Sequence, residues 1–129
     1  MTEIFHTILD NRGVLKVSGE NKFEFLQGLV SNDVTSISAD CAIYAAMLTP
    51  QGKFLFDFFM YEWKSSILIE TEGGRLAQLK KRLNMYKLRA KVDLEDVTAS
   101  WSVTAIWGSD VLTSIGLSNN PGSATAWQG

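Results

Sequence analysis

Short apolar runs separated by turn-forming residues dominate this chain, and only a few stretches carry a helical period. Residues 5–9 and 13–17 are apolar runs separated by Asp10-Asn11-Arg12-Gly13, a turn composition, and both read as strands. In residues 20–30, Phe23, Leu26 and Val30 share one stripe that Phe25 and Leu29 widen, which predicts a helix ended by Asn32-Asp33. Residues 42–48 form an uninterrupted small-apolar strand, and Thr49-Pro50-Gln51-Gly52 places proline and glycine where a type I turn wants them. The nearly all-apolar run 54–63 is then the second arm of a hairpin. Lys64-Ser65-Ser66 turns the chain into a further strand over 67–70.

The clearest helix is at residues 75–86, where Leu76, Leu79, Leu83 and Tyr86 recur at helical spacing and lysines and arginines cover the rest. Thr71 is its predicted N-cap. Strands follow at 91–97, with Val92 and Leu94 alternating against charges, and at 101–107, with Trp101, Val103, Ala105 and Trp107 on one face. A short helix over 110–117 closes the pattern. Runs of strands punctuated by single helices, without strict βαβα alternation, define an α+β fold with a mostly antiparallel sheet and two main helices. Residues 1–117 form this unit. Residues 118–129 have linker composition, with Trp127 of a buried type near the end, and imply that further chain belongs beyond.

Composition narrows the function classes. Apolar residues make up 46% and charged residues 20%, which suits a soluble globular domain and excludes a largely disordered chain. No run reaches the roughly 18 consecutive apolar residues of a membrane span, so no membrane partner and a cytoplasmic location are expected. Cys41 and His6 are each the single residue of their type, which leaves no disulfide and no metal site to expect. The net charge is −2, yet residues 73–92 hold seven basic and no acidic side chains. That block either attracts an anion or is a solvated helix face with snorkelling side chains. One acidic residue stands out. Asp57 interrupts the aromatic run of residues 54–61, and a carboxylate there must be paired, protonated or turned to a polar cavity. Strand alternation places it on one face with Phe59 and Tyr61.

Four stretches together resemble one family: Arg12-Gly13-Val14-Leu15-Lys16-Val17-Ser18-Gly19, Phe25-Leu26-Gln27-Gly28-Leu29-Val30-Ser31-Asn32-Asp33-Val34, Leu48-Thr49-Pro50-Gln51-Gly52-Lys53 and Tyr86-Lys87-Leu88-Arg89-Ala90-Lys91-Val92. Their order and spacing are similar to those of YgfZ-type folate-binding proteins, relatives of the glycine cleavage aminomethyltransferase. The resemblance runs through essentially the whole chain and covers about the first half of a family member. It implies the N-terminal portion of the aminomethyltransferase-type folate-binding fold, a ring around a cavity in which the complete protein takes tetrahydrofolate as cofactor. It further implies a role as an accessory protein of iron–sulfur cluster assembly or repair, not an independent catalyst, with iron–sulfur client proteins as partners of the complete protein. The family's Lys-Gly-Cys-x-x-Gly-Gln-Glu motif belongs to the half not present, and Cys41 sits in no such context.

Carried over by position, the pterin-binding acidic residue corresponds to Asp57, with aromatic partners at Tyr44 and Tyr61 and with Phe59 on the same strand face. A flat aminopterin suits such a face, since it stacks on aromatics and donates hydrogen bonds to a carboxylate. The structural alternative is a salt-bridged Asp57 in an aromatic core. Arg12 lies where family members place a residue near the folate, and Asn32 and Asp33 are candidate cavity-lining residues, although both also favour helix termini. Two other functions compete: a true aminomethyltransferase acting on tetrahydrofolate, and an RNA-binding protein linked to tRNA modification through the basic block. An apolar edge covered only by further chain would also let this chain form homodimers.

Overall fold

Alternation along one long strand organises the molecule. In β4, Phe54–Trp63, the side chains of Phe56, Phe58 and Met60 are buried while Asp57 and Phe59 stay exposed, so the strand separates a core from an open face. The computed structural model describes residues 3–126. Over these, the other strands are β1 (Ile4–Ile8), β2 (Arg12–Ser18), β3 (Ile43–Leu48), β5 (Ser66–Glu72), β6 (Asp93–Asp96) and β7 (Thr104–Gly108). The helices are α1 (Lys22–Gln27), α2 (Leu76–Lys87) and the single turn α3 (Val111–Ser114). Five strands form one antiparallel sheet in the order β3-β4-β5-β2-β6, and β1 pairs with β7 in a separate two-stranded ribbon. The fold is therefore α+β with a mostly antiparallel sheet and two main helices, as the pattern predicts.

Both main helices cover the same face. Leu26 of α1 and Leu76, Leu79 and Leu83 of α2 pack on Leu15, Val17, Ile43, Ala45, Phe58, Met60, Ile67 and Ile69. Each fully buried leucine contributes about 2 kcal/mol, which outweighs the weak intrinsic preference of so short a helix. The turn between β3 and β4 forms as expected. Gly52 donates to the Thr49 carbonyl at 2.8 Å and adopts φ 86°, a left-handed conformation that glycine takes without steric penalty.

Several boundaries differ from the sequence expectation, each for a local reason. The helix expected over 20–30 is confined to α1, because Val30 bridges Met47 and Ser31 donates to the Ala46 carbonyl at 2.9 Å, so these residues extend the sheet edge. Thr71 is not an N-cap. It lies in β5 and its hydroxyl donates to the Asp57 carbonyl at 2.7 Å, while a 3-10 turn, Gly73–Arg75, leads into α2. The strand expected over 91–97 narrows to β6, and that over 101–107 starts only at Thr104, with Trp101 instead edge-on to Trp63 at 5.1 Å between ring centres. The helix over 110–117 shrinks to α3. Residues expected as linker lie against the 40–42 segment, with Ala42 donating to the Gly122 carbonyl at 2.7 Å and Ala124 to that of Asp40 at 2.9 Å. Trp127 lies outside the described residues.

Candidate functional site

The open face of the sheet gathers its polar groups by register. Tyr44 on β3 stands opposite Phe59 on β4, Phe59 opposite Glu70 on β5, and Glu70 opposite Val14 on β2. Because alternate residues share a face, Asp57, Tyr61 and Arg12 join this row from the neighbouring positions. Tyr44 and Phe59 contact each other with ring centres 5.0 Å apart and planes tilted by 50°. The Tyr44 hydroxyl donates to Asp57 Oδ2. A second cluster lies beside the first. Arg12 donates from Nε to Glu70 Oε2 and forms an ion pair with the same oxygen through Nη2, and the Tyr61 hydroxyl donates to Glu70 Oε1 at 2.7 Å.

These contacts assign states to the groups. Glu70 is 6% exposed, and Arg12 and Tyr61 supply the cation and the hydrogen-bond donor that so deeply buried a side chain needs. The hydrogen bond to Asp57 raises the Tyr44 phenol above its usual range, with burial adding to the effect. Burial, followed by the bond to Glu70, raises Tyr61 further. Both phenols therefore stay protonated donors at neutral pH. Both oxygens of Glu70 are engaged, whereas Asp57 Oδ1 has no partner among the described residues. Asp57 is thus the carboxylate able to accept from a ligand.

Arg12, Tyr44, Asp57, Phe59 and Glu70, with Leu9 and Phe58, line an open hollow of about 640 Å³. Four of the residues singled out from sequence meet here: Asp57, Tyr44, Phe59 and Arg12. Tyr61 reaches the hollow only through Glu70 and faces a smaller space of about 260 Å³ beside Trp101. Asn32 lines an adjoining hollow of about 500 Å³ that shares Tyr44 and Phe59 as its wall and also includes Cys41 and Gly122. Its side-chain amide donates to the Tyr44 carbonyl at 3.0 Å. Asp33 lines neither space. Its carboxylate accepts from the Thr35 backbone at 2.9 Å and caps the 3-10 turn Val34–Ser36, and the Thr35 bonds hold its pKa low. Sequence reasoning missed Glu70, although its signal matched that of Asp57: one carboxylate in an otherwise apolar strand, Ile67-Leu68-Ile69-Glu70.

This mostly antiparallel α+β architecture is that of a known domain class. Residues 9–116 match the GCVT N-terminal domain, and the chain belongs to that family. Its fold is similar to that of the glycine cleavage system aminomethyltransferase T from Bartonella henselae, with a TM-score of 0.73 and 16% identity, covering 92% of this chain and 33% of that one. Among curated relatives, the mitochondrial iron-sulfur cluster assembly factor IBA57 homolog of Mycosarcoma maydis is 32% identical over 78% of this chain and 28% of its own length. The homolog of Cryptococcus neoformans is 35% identical over 80% of this chain and 28% of its own. The mitochondrial IBA57 of Mus musculus is 34% identical over 67% and 28%. The chain thus spans little more than a quarter of these relatives, where the sequence expectation was about half.

Proposed function

We propose that this chain is the sheet-bearing portion of a YgfZ-type, tetrahydrofolate-binding accessory protein of iron–sulfur cluster assembly. The names of its curated relatives support the process, and the open-face hollow supports the ligand. The observation that carries the reading is Asp57: a carboxylate oriented by Tyr44, with one oxygen unpartnered, beside the Phe59 ring. A reduced pterin has a flat ring and an edge of N–H donors, and these residues fit it. Asp57 would accept from that edge, Phe59 and Tyr44 would pack on the ring, and Arg12, fixed by Glu70, would offer its remaining N–H groups to an acceptor. When bound, tetrahydrofolate supplies a carrier for one-carbon units. The chain's own groups support holding a ligand more than transforming it. His6 lies on β1 opposite Ile106, outside the hollow.

Calorimetric titration with 5-formyltetrahydrofolate tests the reading. Saturable binding is expected of the complete protein and weak binding of this chain alone, and Asp57→Asn in the complete protein should weaken it about tenfold or more, because a charge-assisted hydrogen bond is worth roughly 1.5–3 kcal/mol. The melting temperature should stay level, since Asp57 is exposed and its loss strands no buried partner. Unchanged affinity in the folded variant would overturn the ligand assignment.

A further inference from the structure

The helix-covered side of the sheet ends in a region whose own segments carry no acidic residue, with Glu20 and Asp96 at its border. Three segments build it: residues 28–32 after α1, residues 47–56 around the β3–β4 turn, and residues 73–92 spanning α2 and its exit. They hold eight of the twelve lysines and arginines and none of the fourteen aspartates and glutamates, although the net charge of the chain is −2. Lys91 is paired with Glu20 at 2.9 Å, and Arg75 lies over the Phe56 ring at 4.5 Å. Lys53, Lys81, Arg82, Lys87 and Arg89 have no ion-pair partner among the described residues.

Apolar groups stand between these cations. Met85 is 62% exposed, Phe54 58% and Leu88 88%. Leu88 follows the last residue of α2 with φ 44° and ψ −113°, a positive-φ conformation that is rare for leucine and that ends the helix. Two hollows indent the region. Phe56 and Met85 line one of about 310 Å³, flanked by Lys81 and Arg82. Leu29, Met47, Leu48 and Tyr86 line another of about 340 Å³.

We propose that this end of the molecule docks an acidic segment of a partner protein, which seats apolar side chains in the two hollows while its carboxylates meet the surrounding cations. The charge is complementary to such a segment, and burying an apolar anchor inside a charged rim is how compact protein interfaces gain specificity. A nucleic acid would find its phosphates matched and the exposed rings of Phe54 and Tyr86 to stack on, but a chain of net charge −2 with one basic segment repels a polyanion everywhere else. A bilayer is flat and fills no indentation. This surface lies on the side of the sheet opposite the Asp57 hollow, so the two can be occupied together.

The test uses two labelled helical peptides of identical Leu and Glu composition, one with leucine on a single face and one shuffled, in fluorescence anisotropy. The amphipathic peptide should bind at least about tenfold tighter, a difference of about 1.4 kcal/mol. Met85→Glu and Lys81→Glu should each remove most of that preference while melting temperature and 5-formyltetrahydrofolate binding stay unchanged. Equal binding of both peptides would overturn the proposal, leaving charge alone. So would displacement of the peptide by an RNA hairpin or by phosphatidylserine vesicles. Loss of the site in sedimentation-detected oligomers, or in a chain extended to the relatives' full length, would assign it to a second copy or to the protein's own further residues.

Discussion

Tyr61 and Glu70 illustrate what single residues hold in this fold. The Tyr61 phenol is held protonated by burial and by its bond to Glu70, so the native state binds that proton more tightly than the unfolded chain, where the pKa is about 10. Its stabilising contribution is therefore intact below about pH 10 and is lost as pH rises beyond that value toward the native pKa. Chemical denaturation across the alkaline range should show stability falling, and Tyr61→Phe should flatten that fall while lowering stability at neutral pH by about 1 kcal/mol. An identical alkaline slope in the variant would mean that another group carries it. At this scale the site was half legible. A lone carboxylate in an apolar strand drew attention to Asp57 but not to Glu70, which carries the same signal, and nothing local says which group satisfies either. The Arg12–Glu70 pair joins residues on β2 and β5 whose register only the folded sheet defines.

Among the elements, α2 was legible from a period of its own, with Leu76, Leu79 and Leu83 repeating every turn, and β4 from a long apolar run behind a proline-glycine turn, with Asp57 marking its open face. The ends of α1 and the partner of β1 were not legible. Residues 30 and 31 leave the helix to bond with β3, and β1 bypasses the neighbouring β2 to pair with β7, so both outcomes depend on distant chain. The same contrast orders two leucines a few residues apart. Leu79 is fully buried and Leu88 is 88% exposed. Leu79→Ala should cost roughly 2–5 kcal/mol in urea denaturation, whereas Leu88→Gly should be neutral or stabilising because glycine relieves the positive φ. Equal losses would mean that Leu88 is covered in solution.

For the molecule as a whole, the β1–β7 ribbon leaves much apolar surface in water. Phe5 is 48% exposed and stacks on Trp107, which is 50% exposed, and Ile8 and Ile106 are exposed at 65% and 40%. A thin ribbon with apolar faces and unpaired edges invites association. Sedimentation should show concentration-dependent oligomers that Trp107→Lys reduces, and a monomer throughout would show the ribbon to be content in water. The strand order has a further consequence, in time. Strands β3, β4 and β5 form a meander of neighbours in sequence, whereas β2 must wait for β5 and β1 must find β7, so that Phe5 meets Trp107 across nearly the whole chain. Loop closure favours the near pairs, and the ribbon should assemble last and open first. Native-state hydrogen exchange should then find the amides of Met60 and Ile69 slowest and those of Phe5 and Ala105 among the fastest of the strand residues. The molecule would breathe from the seam that joins its beginning to its end.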